Sequence, residues 1–103
     1  MPGVQNGERP ILIVSNDTFN AYSPVVTCAS ITTVPKVSPV HVSIHVYEDS
    51  DIQCEQIHTV SKNELDDYIG MVPHDILKQV KEKLKIQFDL DTDRTYELLV
   101  ELR

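Results

Sequence analysis

The chain has 103 residues, 41% hydrophobic and 24% charged, a length at which one compact domain spanning 1–103 can bury a single core. Its formal net charge of −7 opposes sequence-blind attraction to a polyanion, and of its nine basic residues only Arg9 and Lys36 precede position 60. The longest aliphatic run, Ile11 to Val14, is far shorter than the roughly 20 residues of a membrane helix, and no basic segment leads into an apolar one at the start. No membrane association and a cytoplasmic location are therefore expected, with Cys28 and Cys54 as thiols.

In chain order, Ile11 to Val14 predicts a buried strand running into a turn at Ser15-Asn16-Asp17. Pro24 to Thr33, rich in Val, Ile and Thr, predicts a second strand, and Lys36 to Pro39 a loop. His41 to Tyr47 alternates, with Val42, Ile44 and Val46 on one face and His41, Ser43, His45 and Tyr47 on a solvated one. After an acidic turn, Glu48 to Asp51, a fourth strand from Ile52 to Thr59 sets Gln53, Glu55 and Ile57 opposite Cys54, Gln56 and His58. Short strands joined by short loops predict a small barrel or curled sheet.

Ser61-Lys-Asn-Glu64 has the form of a capping box and predicts a short helix to about Tyr68. Pro73 fits the first turn of a longer helix, with Leu77, Val80, Leu84 and Phe88 on one stripe and Lys78, Lys81 and Lys85 outward. Thr95 to Leu102 alternates and predicts a final strand after a turn at Asp91 to Asp93.

Few motifs carry chemistry by themselves. His41 and His45 on one strand lie about 13 Å apart, too far to share an ion. Asp89-Leu-Asp-Thr-Asp93 opens like a calcium loop, but Arg94 and Val100 stand where that loop needs Gly and Glu. There is no Gly-rich phosphate loop, paired-cysteine motif or nucleophile elbow, so neither metal nor cofactor is expected. Glu55 lies within a strand. A carboxylate there either faces solvent or is held in a cleft where it can accept a proton.

An ordered set of motifs points further. Gly7-Glu-Arg-Pro-Ile-Leu-Ile-Val-Ser-Asn-Asp17 is followed by Asn20, Ser23-Pro24, Cys28 to Thr32, His41-Val42, Cys54-Glu-Gln-Ile-His-Thr59 and Ser61-Lys62. From about residue 7 to 90 this series resembles the MazF/PemK toxins, with only Pro2 to Asn6 where that family has its first strand and an RNA-contacting loop. The resemblance implies an α+β fold, mainly β: a small SH3-like barrel of the CcdB/MazF type with a short and a longer helix, to which the final strand would be added.

It also implies a homodimer and a sequence-selective, metal-independent endoribonuclease acting on single-stranded RNA or mRNA, neutralised by a cognate antitoxin. Arg9, Thr32 and Glu55 would carry catalysis. Gln5, Asn16, Gln56 and His58 would contact RNA. The alternative is a catalytically impaired relative that keeps the fold and binds a protein partner. Absence of the first loop favours that alternative, and joint retention of Arg9, Thr32 and Glu55 favours the enzyme.

Overall fold

A computed structural model describes residues 9–34, 37–91 and 98–103. Four strands form one antiparallel sheet in the order β1-β2-β4-β3, where β1 is Ile11–Ile13, β2 Val25–Thr32, β3 His41–Val46 and β4 Glu48–Ser61. Two helices accompany it, α1 at Asp17–Tyr22 and α2 at His74–Phe88. The architecture is the curled half-barrel with a packed helix that the sequence implies.

β4 organises the sheet. Its first half pairs with β3, from Val46↔Glu48 to His41↔Gln53, and its second half pairs only with β2, from Ala29↔Ile57 to Val25↔Ser61. Between these halves the β2 register jumps from Ala29↔Ile57 to Ser30↔Gln53, so Cys54, Glu55 and Gln56 form a bulge. Extra residues in one strand bend it and re-aim their side chains. The Cys54 N–H donates to the Val40 carbonyl at 3.2 Å, tying the bulge to the chain entering β3.

The two faces of the sheet differ in chemistry. Ala29, Ile31, Val42, Ile52 and Cys54 form the core with Val40 and Val80, the last brought down by α2. Ile76, Leu84, Leu12, Val14, Ile44, Val46 and Ile57 pack around them. Between these apolar positions the alternating residues Ser30, Thr32, Ser43, Asp51 and Gln53 turn to the opposite side, since directly paired residues share a face.

Several expectations need correction. The acidic segment Glu48 to Asp51 is strand, not turn, because the hairpin is closed at Tyr47 with a positive φ of 62°. The turn expected at Ser15 to Asp17 leads directly into α1, with Asn16 as N-cap accepting from the Phe19 N–H at 2.8 Å. The capping box at Ser61 and Glu64 forms as expected, but the helix it starts is only the 3₁₀ turn Lys62–Glu64. A capped nucleus without a following apolar stripe does not propagate. In α2 the buried face is Ile76, Val80 and Leu84, and Phe88, in the last turn before the left-handed cap at Asp89, is 46% exposed. Residues 98–103 are not in a strand; the rest of the expected final strand, 95–97, lies outside the described residues.

Candidate active site

The polar face carries Thr32, and the bulge brings Glu55 to His41 beside it. Thr32 ends β2 and opposes Asp51 of β4, which in turn opposes Ser43 of β3. Ile11 opposes Ser30, and Arg9, exposed, lies two residues ahead of Ile11 on the chain entering β1, while Thr32 lies two residues beyond Ser30 at the end of β2. A guanidinium and a hydroxyl at neighbouring strand ends suit a phosphate, one offering a fork of N–H donors and the other an O–H.

Glu55 lies on the bulge and reaches His41. His41 Nε2 lies 2.9 Å from Glu55 Oε2, and His41 Nδ1 lies 3.4 Å from Asp51 Oδ2. The His41 side chain is only 5% exposed, against 12% for Asp51 and 32% for Glu55. His41 therefore does not lie on a solvated face, as the alternation of β3 suggests; two carboxylates of β4 cover it. Burial alone would lower the basicity of its ring and is the largest single influence. The hydrogen bonds and charges of Glu55 and then Asp51 together outweigh it, and the His41 pKa is raised.

Other expected site residues are placed differently. Gln56 and His58 are exposed on β4, His58 opposite Cys28. Asn16 is exposed, but its side-chain oxygen is used in capping α1. Gln5 lies outside the described residues. His45 faces solvent beside Asp49 at 2.9 Å, away from the His41 cluster. Burial raises the pKa of both thiols; at Cys54, Glu55 adds to the rise and Lys83 opposes it. Protonated, buried thiols are poor nucleophiles.

Sequence reasoning missed His41 as a partner of Glu55, and Asp51 as a partner of His41. The available signal was the His-x₉-Asp-x₃-Glu spacing across a hairpin, which becomes meaningful only once the register is known.

A family model described as PemK-like, MazF-like toxin of type II toxin-antitoxin system matches residues 2–88. The chain belongs to that family. It is 37% identical over 99 residues to Endoribonuclease MazF of Staphylococcus saprophyticus, covering 89% of this chain and 82% of the relative.

Among solved structures, an endoribonuclease in complex with its cognate antitoxin from Mycobacterial species superposes with a TM-score of 0.75 at 27% identity. That match covers 80% of this chain and 82% of the other. The Mycobacterium tuberculosis toxin MazF-mt6, at 24% identity and a TM-score of 0.74 over 79% and 86% of the two chains, shares the fold.

Proposed function

We propose that this chain is an endoribonuclease toxin that cleaves single-stranded RNA at selected sequences without a metal ion, and that a cognate antitoxin restrains it. The observation that supports the reading is the bulge in β4, which turns Glu55 to His41 beside the sheet face that bears Thr32, with Arg9 on the chain entering the neighbouring strand β1. Membership of the toxin family and the endoribonuclease relative support it.

The chemistry follows from these residue types. The ribose 2′-oxygen attacks the adjacent phosphorus, Glu55 takes the 2′-hydroxyl proton, and the bond from phosphorus to the 5′-oxygen breaks. The 5′-oxygen leaves with a proton from solvent, and the other product ends in a 2′,3′-cyclic phosphate. Charge gathers on the phosphoryl oxygens during the attack, where the Arg9 guanidinium and the Thr32 hydroxyl would meet it. Recognition of flanking bases falls to Gln5, Asn16, Gln56 and His58. With a net charge of −7, binding rests on directed hydrogen bonds more than on general attraction to phosphate.

The active form is a homodimer in the cytoplasm, and the antitoxin occupies the face that RNA would use. The complex formed by the Mycobacterial relative supports an antitoxin partner. No helix among the described residues is long and apolar enough to cross a membrane.

The deciding experiment is incubation of the purified protein with a long unstructured RNA in EDTA, followed by mapping of the ends. Discrete cuts leaving 2′,3′-cyclic phosphates are expected. Intact RNA, or cutting only after Mg²⁺ is added, would overturn the reading; intact RNA together with antitoxin binding would favour a non-catalytic binding module.

A further inference from the structure

The polar face of the sheet carries a second row of side chains beside the one that holds Thr32. Ile11, Ser30, Gln53 and His41 oppose one another in turn across β1, β2, β4 and β3, so they share that face. Ser30 and Gln53 form the middle of the row. Both are half-buried, and among the described residues neither the Ser30 hydroxyl nor the Gln53 carboxamide has a hydrogen-bond partner. Polar groups shielded from water are ordinarily bonded, because leaving them unpaired costs stability. An unpaired carboxamide in the middle of a sheet face is available to a ligand.

We propose that Gln53, assisted by Ser30, reads the base of the nucleotide adjoining the scissile phosphate. This rests on the reading of Thr32 as a phosphate contact. Ser30 lies two residues before Thr32 on β2, roughly 6 to 7 Å along the strand, so the nucleotide next to a phosphate held at Thr32 falls over this row. A carboxamide presents a donor and an acceptor side by side in one plane, which matches a base edge that does the same. Ser30 adds a hydroxyl that can donate or accept at that edge. In a duplex the Watson–Crick edge is already paired, so a contact of this kind selects single strands.

The placement of Gln53 suits discrimination. It is the last residue of β4 paired on both sides before the bulge, to Ser30 on β2 and to His41 on β3, so its backbone is fixed from two strands. Asp51 and Glu55, on either side of it along β4, already bring negative charge to His41. A neutral amide between them adds hydrogen bonding without further repulsion of RNA. Half-buried Ile11, at the end of the row, offers an apolar edge for the base to lie against.

The test is cleavage of RNA oligonucleotides that carry each of the four bases on one side, then on the other side, of a mapped cut, by wild type, Q53L, Q53E and S30A. Wild type should prefer one base at one of these positions by about tenfold to a hundredfold in kcat/KM. In Q53L that preference should shrink to within about threefold through loss on the preferred base, with preferences elsewhere in the site kept. Q53E, which only accepts, should shift the preference toward cytosine or adenine, whose amino groups donate. S30A should narrow it by about twofold to fivefold.

Q53L with the wild-type preference at both positions would overturn the base contact and leave the cleavage reading intact, as would a wild type indifferent to both bases. RNA left intact by wild type would overturn the cleavage reading. The base contact is then decided by selecting bound oligonucleotides from a random single-stranded pool: an enriched base lost in Q53L supports it, and equal pools overturn it. Should Q53L fail to fold, Q53E decides, and an unchanged preference in that variant sinks the proposal.

Discussion

Arg9 lies outside the strands and is exposed, so its loss should cost little stability. If it meets the charge of the transition state, Arg9→Ala should lower kcat by on the order of a hundredfold or more while circular dichroism stays unchanged. Arg9→Lys should be nearly as poor, because a point charge does not reproduce a planar fork on two oxygens. A folded Arg9→Ala variant cutting at the wild-type rate would remove this residue from the reaction. His41 makes a separate prediction about stability. Its pKa is raised on folding, so its stabilisation is complete below the unfolded value of 6.5 and is lost as pH rises through the folded value. The urea midpoint should therefore fall on the alkaline side of 6.5, and fall less in H41Q. At the hairpin tip, Tyr47 holds a φ of 62° and is 78% exposed. Tyr47→Asn should raise stability by up to about 1 kcal/mol, measured by urea denaturation, since Asn tolerates the left-handed region that a bulky residue resists.

At the scale of elements, α2 is held to the sheet chiefly through Val80, which is 1% exposed within the core. Val80→Ala should cost about 2 kcal/mol from lost burial and the cavity left behind, and a urea midpoint at the wild-type value would contradict this packing. The legible elements were those with a hydrophobic period: β1 to β3 and α2 announce themselves by aliphatic run, β-branching or stripe. The start of β4 was hidden because Glu48 to Asp51 reads as a polar turn, while the hairpin is closed by the unusual backbone of Tyr47. The helix α1 was hidden because six residues give no stripe, although Asn16 at its head is a good cap. Of the candidate site, Arg9, Thr32 and Glu55 could be singled out by family likeness. The bulge at Cys54 to Gln56 could not, since alternation runs through it unchanged in the sequence. Nor does alternation tell a solvated polar face from one where carboxylates cover a histidine.

For the whole molecule, sedimentation at micromolar concentration should show a particle of twice the 11.7 kDa chain mass if the active form is a dimer. A single species at the chain mass would count against a groove shared between two copies. The end of the chain has a simpler expectation. Leu98, Leu99, Val100 and Leu102 are 80%, 99%, 81% and 99% exposed and outside the sheet, so deleting residues 98–103 should leave the urea-derived stability within about 0.5 kcal/mol. A large loss would mean that this segment covers apolar surface, in the chain or in a dimer.

The hydrogen bond from the Cys54 N–H to the Val40 carbonyl joins the carboxylate-bearing bulge to the corner where the chain enters β3. His41, the next residue after that corner, is also the residue that grips Glu55. Anyone transplanting this candidate site onto another scaffold would therefore have to move residues 38–41 together with 51–56 as one cassette.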